Sequence, residues 1–179
     1  MQTNTTQIQK TQKRRYLDII AATAGSLFLA LLSQVSIPLP GTPVPLTLQT
    51  LGVFLLGGFL GGRIAIVSIL LYLLEGALGL PVFAGWKINP LWILSPNAGF
   101  LLSFIPAVML IRKLGKGVLS LSLAQAVISI IGMFWLSFYV GSLKIAFFLG
   151  VMPFLVGAGI KIIAGTLILK SYQLIRRKP

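Results

Sequence analysis

Few side chains in this chain of 179 residues are able to act as acids, bases or nucleophiles. The sequence contains no cysteine and no histidine, which excludes thiol nucleophiles, disulfides, imidazole bases and the usual zinc sites. There are two acids, Asp18 and Glu75. With so few acidic, basic and nucleophilic side chains, a binding function is favoured over catalysis. We therefore expect no catalytic centre, no metal site and no cofactor.

Lys161 lies inside a long apolar run near the end of the chain. A Lys near the centre of a bilayer costs about 2.5–3.5 kcal/mol, so something must offset its charge. In one interpretation Lys161 faces a cavity within the protein and binds an anionic ligand. In the other, its ammonium group reaches along the aliphatic stem to the membrane interface.

The two acids allow several interpretations. Glu75 lies near the outer end of the third apolar run, where it could pair with Lys161, orient a polar group of a ligand, or face the outer interface. Asp18 follows the basic run Lys13 to Arg15, and we expect it near the start of the first helix. There it would cap the helix or pair with an arginine.

The elements that position these residues are predicted to be transmembrane helices. Hydrophobic residues make up 56% of the chain and charged residues 9%, against about 25% charged residues in a soluble domain. The mean hydropathy is +0.97, so lipid must be the solvent for most of the surface. We predict an all-α integral membrane protein with six transmembrane helices, from apolar runs at 16–35, 47–60, 64–80, 96–111, 118–140 and 145–169.

The basic residues predict the orientation of these helices. The net charge is +13, but the cations lie in small clusters between apolar runs, so we expect a lipid bilayer and not a nucleic acid as the partner. Six crossings place 12 of the 15 Lys and Arg inside and only Lys87 and Lys144 outside, with Lys161 in the sixth helix. This split predicts two cytoplasmic tails, 1–15 and 173–179, around a single membrane domain, 16–172.

Two links on the outer side carry unusual residues. Pro38, Pro45 and the residues between them precede a short second run, so we predict an extended, partly re-entrant segment that folds back towards a cavity. The third link combines glycine, aromatic residues and polar side chains. Its length and composition indicate a lid that covers a binding site.

The first helix carries small residues at helical spacing, with Ala22, Ser26 and Ala30 on one ridge and Ala21 and Gly25 on another. Such ridges allow close approach of a second helix. The sequence leaves two partners open, a helix of the same bundle or another membrane protein.

Two stretches resemble the signatures of a known family. Residues 37–52 read IPLPGTPVPLTLQTLG, and residues 76–85 read GALGLPVFAG. Both are similar to stretches of the BioY family, the biotin-binding membrane subunits of energy-coupling-factor (ECF) transporters. The first stretch is the more specific, because a proline-rich link running into Thr-Leu-Gln-Thr has no general membrane role.

The resemblance implies six helices, with biotin bound near the outer face beneath the first and third links. It also implies a bacterial cytoplasmic membrane protein coupled to a membrane scaffold subunit and two cytoplasmic ATPases. The scaffold would contact Ala22, Ser26 and Ala30. The residues that we expect at the biotin site are Thr42, Gln49, Tyr72, Glu75, Phe83, Trp86, Asn89, Asn97 and Lys161.

The sequence departs from the family pattern at two places. Residues 95–100 read SPNAGF where the family usually has a Gly-Pro-Thr-Gly-Gly-Tyr-like stretch. The family commonly has an Asp three residues before the lysine of the sixth helix, and this chain has Ala158 before Lys161. We expect Glu75 or a carbonyl of the irregular links to accept from the ureido N–H groups of biotin instead, because an unpaired buried donor costs about 1–3 kcal/mol.

The preferred function is therefore capture of biotin from outside the cell for uptake. The sequence lacks a Gly-x-x-x-x-Gly-Lys-Ser/Thr phosphate loop, so ATP hydrolysis would come from partners. The alternatives are the same scaffold specific for another vitamin or a biotin analogue, a structural or assembly membrane protein, and a small intramembrane enzyme.

Overall fold

A computed structural model describes residues 2–177. In this range two short strands, β1 (Ser36–Ile37) and β2 (Leu46–Thr47), pair antiparallel, and 3-10 turns form at Trp92–Leu94 and Met152–Phe154. The α-helices of the described range are α1 (Gln2–Gln34), α2 (Gln49–Phe59), α3 (Gly61–Ala77), α4 (Ala98–Leu102), α5 (Phe104–Leu114), α6 (Val118–Val140), α7 (Leu143–Gly150) and α8 (Leu155–Arg177).

Most helix boundaries follow the apolar runs, and the additional breaks lie at prolines. The run 118–140 matches α6 residue for residue. The predicted helix over 96–111 is divided into α4 and α5, because Pro106 has no N–H to donate to the carbonyl four residues earlier. The predicted helix over 145–169 is divided into α7 and α8 by the turn that contains Pro153.

The first helix begins much earlier than the apolar run predicts. It starts at Gln2 and not near Tyr16, so the basic segment continues directly into the apolar part of α1. Asp18 therefore lies in the middle of a helix with its side chain exposed. The expectation that it caps a helix start was wrong, since the positive helix end is several turns away.

Lipid is the expected environment of the longer helices. Three segments in the described range are long and apolar enough to cross a bilayer, Thr11–Gln34, Val118–Val140 and Leu143–Ile175. Large apolar side chains on their outer faces, including Leu31, Phe138 and Val156, are exposed. The remaining helices are shorter, so the count of six crossings stays a prediction.

The centre of the bundle is built by α2, α3, α5, α6 and α8. Helix α3 packs against α1 and α5, α2 packs against α5 and α8, and α6 packs against α4, α5, α7 and α8. Buried Phe54, Ile69, Val108, Leu121 and Leu169 belong to one continuous cluster between these helices. This packing brings α8, which carries Lys161, beside the start of α2.

The small residues of α1 pack within the bundle. Ala22 is 3% exposed and Ser26 is fully buried, while Ala30 is half-buried against the central cluster. A Cβ built on Gly25 would overlap the side chain of Ser68 on α3, so the two helices are as close as a glycine allows. This placement corrects the expectation that Ala22 and Ser26 contact a scaffold subunit.

We predict that Gly25→Ala destabilises the protein, because the new methyl group forces Ser68 and α3 away from α1. The expected cost is about 1–3 kcal/mol, seen as a lower midpoint of thermal unfolding in detergent. Gly159→Ala is the matched control, because a Cβ on Gly159 of α8 meets open space. Equal midpoints for the two variants would contradict the close α1–α3 contact.

Candidate functional site

A cavity of about 140 Å³ lies beneath the proline-rich link and the third link. Both links contribute to it together with α2, α4, α5, α6, α7 and α8. The link around β2 supplies Val44, Pro45 and Thr47, and the third link supplies Phe83, Lys87, Asn89 and Trp92 among others. The first link thus contributes residues to the wall of a cavity, and its partly re-entrant course stays a prediction.

Aromatic side chains form much of the cavity wall. Phe83 packs edge to face on Tyr72, with ring centroids 5.6 Å apart, and lies 6.3 Å from the ring of Trp92. Gly76 allows this position, because a Cβ there would overlap the Phe83 ring. Trp92 donates from Nε1 to the carbonyl of Leu73 at 3.1 Å. The wall is therefore held rigidly against α3 and suits the flat face of a ring.

Lys161 is the buried charged residue of the cavity lining, and its ammonium group is the best candidate to bind a ligand. Lys161 is 7% exposed and lies on the buried face of α8 with Ala158 and Leu169, at helical spacing. Its Nζ donates to the carbonyl oxygen of Thr47 at 3.2 Å. Asp18 and Glu75 both lie outside the cavity lining. A buried ammonium with a neutral acceptor has donors left for an oxygen atom of a ligand.

A chain of hydrogen bonds fixes Gln49 at the start of α2. Gln49 donates from Nε2 to the hydroxyl of Tyr72 at 2.5 Å, and that hydroxyl donates to the carbonyl of Val82 at 3.2 Å. Ser33 and Gln34, at the end of α1, donate to the same carbonyl. The cavity, the end of α1 and the third link are thereby connected through one carbonyl group.

Three polar atoms among the lining residues are buried and have no hydrogen-bond partner in the described part of the chain. They are Oγ1 of Thr50, Oδ1 of Asn97 and Oε1 of Gln125. In Asn97 and Gln125 the amide nitrogen already donates a hydrogen bond. Asn97 donates to the carbonyl of Pro43 at 3.5 Å, and Gln125 donates to the hydroxyl of Ser129 at 3.3 Å. Unpaired buried acceptors are costly, so these atoms suit a ligand that brings N–H groups.

The structure brings together five of the predicted site residues, Gln49, Phe83, Asn89, Asn97 and Lys161, which all line the cavity. Tyr72 lies behind Gln49 and supports it. Thr42 lies outside the lining, where its hydroxyl donates to the carbonyl of Leu149 at 2.7 Å and holds the proline-rich link on α7. Trp86 is also outside the lining, 65% exposed, with its N–H bonded to Gln34 Oε1.

Glu75 is placed away from the cavity, which corrects two expectations. Its Oε1 accepts from the hydroxyl of Ser26 on α1 at 2.5 Å, and its Oε2 is buried without a partner in the described structure. It therefore neither pairs with Lys161 nor stands ready to accept from a ligand. The rotation of α3 about its axis turns Glu75 towards Ser26 on α1, so its carboxyl group points away from the cavity.

Sequence reasoning missed several residues that line the cavity: Thr50, Lys87, Ser95, Phe100, Phe104, Gln125, Ser129 and Phe154. Gln125 and Ser129 carried a usable signal. They are polar side chains four residues apart in the apolar run of α6, and polar groups inside a membrane helix tend to face the protein interior. The aromatic residues carried no signal of this kind, since aromatic side chains are common throughout membrane proteins.

The fold and the cavity define a class, a helical membrane protein that binds a small molecule in a preformed, mostly apolar cavity with a few polar contacts. The structure is similar in fold to a crystal structure of the S-component for biotin from an ECF-type ABC transporter, with a TM-score of 0.79 and 23% identity over 90% of this chain and 93% of that one. The BioY family profile matches residues 3–178. The chain belongs to the BioY family.

Curated relatives agree with this assignment. The chain is 41% identical over 154 residues to the probable biotin transporter BioY of Pyrococcus horikoshii, covering 83% of this chain and 93% of that protein. It is 36% identical over 156 residues to the biotin transporter BioY of Thermotoga maritima, covering 79% and 89% respectively. It is 31% identical over 166 residues to the biotin transporter BioY2 of Lactococcus lactis, covering 87% and 90%. The resemblance seen in the two signature stretches is confirmed.

We predict that Ser26→Ala lowers stability, because it leaves the Glu75 carboxylate without its hydroxyl donor. The expected loss is about 1–3 kcal/mol, measured by thermal unfolding in detergent. The double variant Ser26→Ala/Glu75→Leu should recover most of this loss, because both polar partners are then removed. Glu75→Leu alone completes the cycle, and a double variant as unstable as the sum of Ser26→Ala and Glu75→Leu would show that the two groups do not interact.

Proposed function

We propose that this protein is the substrate-capture subunit for uptake of biotin, which it binds from outside the cell without covalent chemistry. The observation that carries the proposal is the buried ammonium of Lys161 beside an aromatic-walled cavity. The names of the curated relatives, biotin transporters that cover most of this chain, support the same ligand.

The chemistry of biotin suits the groups that line the cavity. Its fused rings are largely apolar and would lie against Phe83, Trp92 and Phe100. The ureido group has one carbonyl oxygen and two N–H groups, and the side chain ends in a carboxylate. Lys161 can donate to either kind of oxygen, and Asn97 offers an amide oxygen to an N–H group.

On this basis the proposed binding residues are Gln49, Phe83, Asn89, Asn97 and Lys161. Tyr72 acts through Gln49, whose amide it holds in place. Thr42 and Trp86 would act on the two links that cover the cavity and not on the ligand, since both lie outside the lining.

Transport requires partners in this proposal. We propose a membrane scaffold subunit and two cytoplasmic ATPases of the ECF type, with six membrane crossings and both termini in the cytoplasm of a bacterium. The charge distribution of the sequence supports this orientation. Because Ala22 and Ser26 are buried, a scaffold would contact α1 through its exposed face, which carries Ile20, Leu27 and Leu31.

We predict that the purified protein binds biotin saturably and that Lys161→Met lowers the affinity at least tenfold, because a charge-assisted hydrogen bond contributes about 1.5–3 kcal/mol. Isothermal titration calorimetry in detergent measures this. Lys144→Met is the matched control, since Lys144 is exposed and outside the cavity lining, and it should bind as the wild type does.

Competition with lipoate and other vitamins separates biotin from the alternative ligands. Glu75→Gln belongs in the same series and should keep its affinity within about twofold, because Glu75 faces α1. A wild-type protein that binds another vitamin in preference to biotin, or a Lys161→Met variant with unchanged affinity, would refute the proposal.

A further inference from the structure

We propose that Gln125 of α6 is a specificity-determining contact that accepts a hydrogen bond from an N–H group of the ligand. The inference rests on the proposed function and adds to it a residue, an atom and a ligand group. It also states what the cavity selects, a small molecule with a urea-like pair of N–H groups.

In the side-chain amide of Gln125, the nitrogen has a hydrogen-bond partner and the oxygen has none in the described part of the chain. Its Nε2 donates to Ser129, one turn further along α6, at 3.3 Å. Its Oε1 is buried and has no partner among the described residues. An amide whose nitrogen is held in this way presents its oxygen, and a buried amide oxygen without a donor is rare in folded proteins.

The position of Gln125 connects this free acceptor with the ligand. Gln125 and Ser129 both line the cavity, as do Ile128 of the same helix face and Lys161 of the neighbouring α8. Because Oε1 of Gln125 is buried and has no donor among the described residues, a bound molecule with an N–H group would satisfy it.

A second unpaired acceptor makes the pattern selective. Oδ1 of Asn97, just before α4, is buried without a partner, and its Nδ2 donates to the carbonyl of Pro43. The cavity lining thus includes two unpaired amide oxygens from separate elements and one lysine donor. Two acceptors and one donor complement the two N–H groups and one carbonyl oxygen of a cyclic urea.

No acid competes for this role. Asp18 and Glu75 are the two acids of the chain, and neither lines the cavity. Ala158, one turn before Lys161, has no polar atom in its side chain. The buried, unpaired acceptors that the described lining offers to a ligand N–H group are therefore Oε1 of Gln125, Oδ1 of Asn97 and the hydroxyl oxygen of Thr50.

The test uses the purified full-length protein and two probes, biotin and desthiobiotin, which share the ureido ring but differ in the sulfur-containing ring. Gln125→Leu should lower the affinity for both probes by a similar factor of about ten, the equivalent of 1.4 kcal/mol. Gln125→Glu keeps an acceptor oxygen and should stay within about threefold of the wild type. Gln173→Leu, the same change at an exposed position of α8, should have no effect.

Each outcome supports or overturns the inference. The inference is supported if Gln125→Leu loses affinity for both probes while Gln125→Glu keeps it, and if the unfolding midpoints of both variants are unchanged. That result indicates a hydrogen bond from the ligand. Equal binding by Gln125→Leu and wild type overturns it, as does an equal loss in Gln125→Leu and Gln125→Glu, which would indicate a packing role. A wild-type protein that binds neither probe would overturn the proposed function itself, which keeps the two failures distinguishable.

Discussion

A lysine ammonium group enclosed by an apolar helical bundle is the constraint on which the rest of this structure depends. Lys161 is on the buried face of α8, and the carbonyl of Thr47 in β2 accepts one of its hydrogen bonds. That contact joins α8 to the end of the proline-rich link, where β2 pairs with β1. Because an isolated charge is costly inside a membrane protein, the cavity around Lys161 is best understood as a site completed by a ligand.

The helices behind the cavity pack closely because small residues lie at their contacts. Gly25 brings α1 onto Ser68 of α3, and Gly76 lets the ring of Phe83 lie directly on α3. The hydrogen bonds from Gln49 through Tyr72 to the carbonyl of Val82 then join the start of α2 to the third link. A preorganised wall of this kind lowers the entropy lost when a small molecule binds.

The family assignment and the site geometry support the same ligand by independent routes. The two signature stretches are continuous in sequence, and the structure places residues of both on the cavity, Val44 and Pro45 from the first and Phe83 and Ala84 from the second. The Ala158 position shows why family membership alone is not enough. Ala158 supplies no polar contact near Lys161, and the unpaired amide oxygens of the lining are those of Asn97 and Gln125.

The membrane environment, most helix boundaries and the family could be read from the amino-acid sequence, because these depend on composition, on apolar periodicity and on local signatures. The sequence also singled out Lys161 as a charge inside an apolar run, and the structure places Lys161 on the cavity together with Gln49 and Asn97. Only the tertiary structure decided that Glu75 and Ser26 meet across α1 and α3, and that Gln125 faces the cavity. The physical reason is that the direction of a side chain depends on the rotation of its helix and on which helix packs beside it. Neither quantity is encoded within a single apolar run.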